Sequence, residues 1–77
     1  MKLVNIVMKA HRQIAKFDKA DMALVYKALE LLKNWPKTSN VKKRVDMPGY
    51  RFHMGQYRAL FDVAGDTVTV MDVRKWQ

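Results

Sequence analysis

Apolar and polar residues alternate along the chain with a period that changes twice, and the changes divide it into elements. Residues 2–8, KLVNIVM, are apolar and rich in β-branched side chains, which predicts a first strand. From Lys9 to Phe17 the period lengthens. Ala10, Ile14 and Phe17 fall at i, i+4 and i+7, while Lys9, Arg12, Gln13 and Lys16 take the other side, as a short amphipathic helix requires. His11 lies beside that stripe and is expected at a half-exposed flank. Asp18 offers an N-cap for a second helix, with Asp21 in the first turn, where a carboxylate is favoured. Met22, Val25, Leu29 and Leu32 then make an apolar stripe that Leu24, Ala28, Leu31 and Trp35 widen, and these side chains are assigned to the core. Pro36 ends the helix, because the residue before a proline is pushed out of the α region.

After the turn-rich PKTSN, the segment VKKRVDMPG (41–49) is basic and extended without regular alternation, and Pro48-Gly49 marks a turn. The period then becomes two. YRFHM (50–54), YRALFDV (57–63) and TVTVMDV (67–73) are separated by Gly55-Gln56 and by Ala64-Gly65-Asp66, which are loops of hairpin length. The expected fold is α+β in the order β-α-α-β-β-β, with two helices packed on one face of a mainly antiparallel sheet. Residues 1–77 are expected to form one domain, and no internal repeat interrupts them.

A two-residue loop at Gly55-Gln56 sets the register of the first hairpin: Met54 opposes Tyr57, His53 opposes Arg58, Phe52 opposes Ala59 and Arg51 opposes Leu60. Opposed residues share a face. Tyr50, Phe52, Met54, Tyr57, Ala59 and Phe61 therefore lie under the helices, and Arg51, His53 and Arg58 gather on the other side. Directly opposed Cβ atoms sit roughly 4.5–5.5 Å apart, so three such heads can converge on one anion. Guanidinium groups grip phosphate oxygens in pairs, and an imidazole can give or take a proton near neutral pH. A three-residue loop at 64–66 would set Asp72 opposite Arg58, so an ordinary cross-strand ion pair competes with the anion site for Arg58. The same loop would put Leu60, Val68 and Val70 on the basic face.

Charge sharpens this picture. The 77 residues carry a net +8, with six basic and one acidic side chain in residues 37–60, against seven and three in 1–36 and two and three in 61–77. A polyanionic partner is the expectation, set against a merely solvated basic surface. The run Lys42-Lys43-Arg44 reads either as a solvated loop or as phosphate contacts beside the hairpin. There is no cysteine, and no metal-ligand spacing, glycine-rich phosphate loop or Ser/His/Asp arrangement, so no metal or cofactor is expected. No signal peptide or transmembrane run is recognisable, which leads to the expectation of a cytoplasmic protein without a membrane partner.

YRFHMGQYRALFDV, approached through VKKRV and followed by DTVTVMDVRK, resembles the YRxRxGxYR hairpin and closing strand of the RelE/ParE toxin superfamily. The likeness covers nearly the whole chain. It implies a toxin of a bacterial type II toxin–antitoxin system, neutralised by an acidic antitoxin. The activity implied first is ribosome-dependent cleavage of mRNA, an endoribonuclease reaction without metal; the alternative is a DNA gyrase inhibitor, or a degenerate toxin that mainly binds its antitoxin. By the resemblance, Arg51, His53 and Arg58 are the catalytic candidates, His53 replacing the more usual Lys or Arg. Lys42, Lys43, Arg44, Arg74, Lys75 and Trp76 are the RNA-binding candidates. The chain ends RKWQ, so Trp76 takes the place of a family arginine, and the family's terminal tyrosine or histidine has no counterpart; the binding alternative is motivated by that departure.

Overall fold

The computed structural model describes residues 1–76. Strand β1 (Leu3–Ile6) leads into helix α1 (Met8–Ile14), then helix α2 (Lys19–Glu30), which tightens into a 3-10 turn at Leu31–Asn34. Strands β2 (Val41–Lys43), β3 (Tyr50–Met54), β4 (Tyr57–Ala64) and β5 (Thr67–Lys75) follow. The five strands form one sheet in the order β1-β5-β4-β3-β2, antiparallel except where β1 runs parallel to β5. The α+β class and the order of elements are those expected, with one strand more. Val41–Lys43, read as irregular, pairs with Tyr50–Phe52 and extends the sheet. Its two lysines hide the apolar signal of so short an edge strand, where lysine is a common guard against stray pairing.

Helix α2 leaves α geometry at Leu31, earlier than the stripe predicted, and Trp35 turns to φ −49°, ψ 136° before Pro36. Most of the stripe still does its work, but Leu24 and Leu31, assigned to the core, lie on the side of the helix that the sheet does not cover and are about half exposed. Ala10, Ile14, Val25, Leu29 and Leu32 are fully buried against Phe61, Val68, Val70 and Val73, with Phe52, Met54, Tyr57 and Ala59 completing the core. Burying each such side chain contributes about 1.5–3 kcal/mol. Met22 and Trp35 pack at its margin, where the Trp35 ring meets Tyr50 and Phe61 at 4.7 and 5.3 Å between centroids. Asp18 stands at the N-cap of α2 without a side-chain capping bond; its carbonyl accepts the Met22 N–H instead. Among the described residues no helix is long and apolar enough to cross a membrane.

The hairpin β3–β4 has the expected register, from Tyr50 opposite Phe61 to Met54 opposite Tyr57. The hairpin β4–β5 does not follow the three-residue loop. Ala64 pairs with Thr67 across a two-residue turn, which Gly65 allows by taking φ 58°. Val70 then opposes Phe61 and Asp72 opposes Leu60, leaving Met71 as a bulge. Two expectations are corrected by that geometry. Asp72 stands one rung away from Arg58, and Val68 and Val70 are fully buried under the helices rather than on the basic face.

Helix α1 follows β1 past the end of its parallel pairing and runs along the part of β5 that β1 leaves open. Val7 N–H still reaches the Val70 carbonyl, but beyond it the edge of β5 has no strand partner. Gln13 takes over there: its Oε1 accepts the Val73 N–H at 2.8 Å.

Candidate functional site: a cationic sheet face

The helices cover one face of the sheet and leave the other open. Register across the strands arranges the open face in two rungs. Lys42, Arg51, Leu60 and Asp72 make one, and His53, Arg58 and Arg74 make the next. Residues two apart on a strand are separated by roughly 7 Å. Arg51, His53 and Arg58 are all half-buried on this face, so the structure brings the three catalytic candidates together. No carboxylate of the described residues forms an ion pair with Arg51 or Arg58. Arg51 Nε is buried and has no hydrogen-bond partner among the described residues, which leaves a desolvated cationic donor unsatisfied.

The RNA-binding candidates divide between the faces. Lys42 and Arg74 belong to the rungs. Trp76 folds back onto the same cluster: the Arg58 guanidinium lies 4.6 Å from its ring centroid, and the His53 ring meets it edge-on at 5.9 Å. Its backbone N–H is tied to the Gln56 carbonyl, and almost half of the residue remains exposed. Lys43 pairs with Tyr50 and Lys75 with Tyr57, so both point to the helix side of the sheet, away from the cluster. Arg44 lies past the end of β2, where its backbone N–H donates to the Gly49 carbonyl and its guanidinium contacts the Met47 sulfur at 2.9 Å.

Two residues of this region were not singled out by sequence for what they do. Asp72 is engaged at both oxygens: Oδ1 accepts from Gln13 Nε2 at 2.5 Å and lies 3.6 Å from Lys9 Nζ, while Oδ2 pairs with Arg74 Nε at 2.9 Å. Burial on its own would push this carboxyl up, but the hydrogen bonds from Gln13 and Arg74, with the charges of Arg74 and Lys9, hold it below the ordinary carboxylate value. Gln13 looked like one more polar residue of the outer face of α1. A sequence signal for it would have required knowing where β1 stops pairing. His11, expected at a flank, is half-buried, with Nδ1 2.8 Å from the Tyr26 hydroxyl, away from the cationic face.

A separate cavity of about 440 Å³ lies between α2 and the end of β3. Leu24, Ala28 and Leu31 form one wall, and His53, Met54 and Gly55 form part of the other. Leu24 and Leu31 are each about half exposed. Apolar side chains are exposed at this cavity, as they are at Leu3, Met8, Val45 and Met47 elsewhere, and the cationic face carries Leu60 in place of the three aliphatic side chains expected. Among the described residues no three His, Cys, Asp or Glu side chains are grouped so as to hold a metal ion.

No protein-family model and no curated protein matches the chain. Solved structures do. The chain is similar to one in the toxin–antitoxin complex RelBE2 from Mycobacterium tuberculosis, with a TM-score of 0.84 and 22% identity over 96% of both chains. The isolated RelE toxin of E. coli matches all of this chain and 86% of its own, with a TM-score of 0.79 and 18% identity. A chain of the chromosomal ParDE system from P. aeruginosa matches with a TM-score of 0.75 and 11% identity, over 100% of this chain and 98% of that one. The chain has the fold of the RelE/ParE toxins.

Proposed function

We propose that this protein is the toxin of a type II toxin–antitoxin system and acts as a ribosome-dependent mRNA endoribonuclease. The observation that carries the reading is the convergence of Arg51, His53 and Arg58 on one open sheet face, where among the described residues neither arginine is ion-paired and Arg51 Nε has no partner. In metal-independent cleavage the 2′-oxygen bonds to phosphorus as the bond to the 5′-oxygen breaks, leaving a cyclic phosphate and a 5′-hydroxyl. One proton leaves the 2′-hydroxyl and one arrives at the leaving oxygen. His53 is the group of this face suited to proton transfer, and Arg51 and Arg58 hold the phosphate and stabilise the charge that builds on it. Lys42 and Arg74 steer the backbone from the ends of the two rungs, and Lys43, Arg44 and Lys75 add contacts outside the cluster. Trp76, almost half exposed, can stack on a base.

The test is primer-extension mapping of translated mRNA after induction, comparing wild type with His53→Ala and Arg58→Ala. Loss of cutting in both is expected; unchanged cutting by both removes the site assignment. A second reading is a toxin without nuclease activity that binds gyrase or chiefly an antitoxin. It is favoured by Trp76 lying against both Arg58 and His53, and by the likeness to the ParDE chain. Inhibition of gyrase supercoiling with intact transcripts would establish that reading over the first. Under both, an acidic antitoxin is the expected partner and the cytoplasm the expected compartment.

A further inference from the structure

A carboxylate beside a cationic cluster weakens the field that a polyanion meets, so the presence of Asp72 on the open face needs a physical reason. Its neighbour on β5 supplies one. Arg74 stands directly opposite Arg58, and two like charges so placed repel. The Arg74 side chain is also 63% exposed, and on its own would sample many rotamers. Asp72, only 13% exposed, holds Arg74 Nε at 2.9 Å. It is itself fixed from α1, because Gln13 donates to Asp72 Oδ1 while accepting the Val73 N–H. A single helix side chain thus clamps both the edge of β5 and the carboxylate on it. With Nε engaged, the two terminal nitrogens of Arg74, which have no partner among the described residues, can grip phosphate oxygens as a pair.

We infer that Asp72, braced by Gln13, is a positioning residue that sets Arg74 beside Arg58 to receive a phosphate of the bound polyanion. The inference rests on the reading of the open face as an RNA site. It makes a prediction opposite in sign to simple electrostatics. Asp72→Asn raises the net charge by one, which by charge alone tightens binding to RNA. If Asp72 positions Arg74, the same substitution weakens binding.

The experiment has two readouts on the full chain. In the first, the Arg74 Nε–Hε resonance is followed by nitrogen-15 NMR; it should be resolved and slow to exchange in wild type, and merge with the exposed arginines in Asp72→Asn. In the second, a 2′-O-methylated single-stranded RNA is titrated by fluorescence anisotropy. Asp72→Asn and Arg74→Lys should each weaken binding roughly fivefold to tenfold, since a lysine keeps the charge but not the guanidinium fork. Combining the two should add little, because both remove one arrangement. Equal or tighter binding by Asp72→Asn, or an Arg74 resonance indifferent to it, overturns the inference. If wild type binds no RNA, the RNA reading falls, and the NMR arm with inorganic phosphate as probe decides the positioning role by itself: a phosphate-induced shift at Arg74 lost in Asp72→Asn sustains it, and an unchanged shift overturns it. Should Asp72→Asn fail to fold, Arg74→Lys, an exposed change, carries the same test: binding as tight as wild type overturns the inference.

Discussion

Gly49 is buried at φ 105°, and a Cβ placed on it would lie 2.9 Å from the carbonyl oxygen of Phe61. That oxygen belongs to the backbone of a central strand and cannot swing away. Gly49→Ala is expected to cost about 2–3 kcal/mol through strain at this positive φ together with the clash. Urea unfolding checks it, and a loss below about 0.5 kcal/mol would show that the 44–49 segment adjusts freely. Tyr57 gives a second residue-level expectation. Its hydroxyl donates to Asp21 Oδ2 at 2.6 Å, and this bond, with burial and the charges of Asp21 and Asp18, pushes the phenol from 10.0 up to about 12. A raised folded value favours the neutral form, so the stabilisation is complete below about 10 and is lost as pH rises towards about 12. Tyr57→Phe should flatten stability against pH across that window, and an unchanged alkaline limb would count against the hydrogen bond. Pro48-Gly49 was legible as a turn and Asp21 as a first-turn carboxylate. Their partners, a strand carbonyl and a tyrosine of the same strand, were not, because local pattern carries no distances between elements.

At the scale of elements, the β3–β4 hairpin could be read to the residue because Gly55-Gln56 admits one loop length and both strands alternate strictly. That hairpin carries Arg51, His53 and Arg58, so the centre of the candidate site was legible with it. The β4–β5 hairpin could not. Ala64-Gly65-Asp66 fits a loop of two or three residues, and the bulge at Met71 shifts the alternation again, so that Val68 and Val70 are buried and yet Asp72 returns to the open face. The faces of Val68 and Val70 turned on the length of the loop, whereas Asp72 keeps the open face expected of it and shifts by one rung. The brace from α1 was likewise hidden, since it exists only because β1 stops pairing at Ile6 while β5 continues to Lys75. Gln13→Ala leaves the Val73 N–H without its acceptor and Asp72 Oδ1 without the Gln13 donor, while Arg74 still pairs with Oδ2. A loss of about 1–3 kcal/mol is expected for such an orphaned pair. The faster hydrogen exchange it produces should be concentrated at the Val73 amide. Uniform acceleration across β5 would show instead that Gln13 holds the helix rather than the strand edge.

For the whole molecule, charge and architecture act on a partner together. The net +8 and its concentration towards the middle of the chain were readable from composition, and so was the layer of two helices on a sheet. That Leu24 and Leu31 stay half exposed was not, because it depends on which side of α2 and its 3-10 extension the core leaves uncovered. Leu24 and Leu31 face the cavity beside β3, and His53 borders both that cavity and the cationic face. Under the proposed function, an acidic, amphipathic antitoxin segment would meet the two surfaces in different ways. Long-range attraction to the cationic face governs how fast it arrives, and apolar burial governs how long it stays. Reversing Arg51 and Arg58 to glutamate should therefore slow association at least about tenfold at low salt, with the difference shrinking as ionic strength rises. Leu24→Ser and Leu31→Ser together should leave association nearly unchanged and speed dissociation instead. Stopped-flow mixing with the antitoxin at low and high salt reads both rates. Equal association rates at low salt, in a charge-reversed protein that is folded, would mean that the antitoxin docks away from the cationic face. Unchanged dissociation in the serine variant would remove the cavity beside β3 from its footprint.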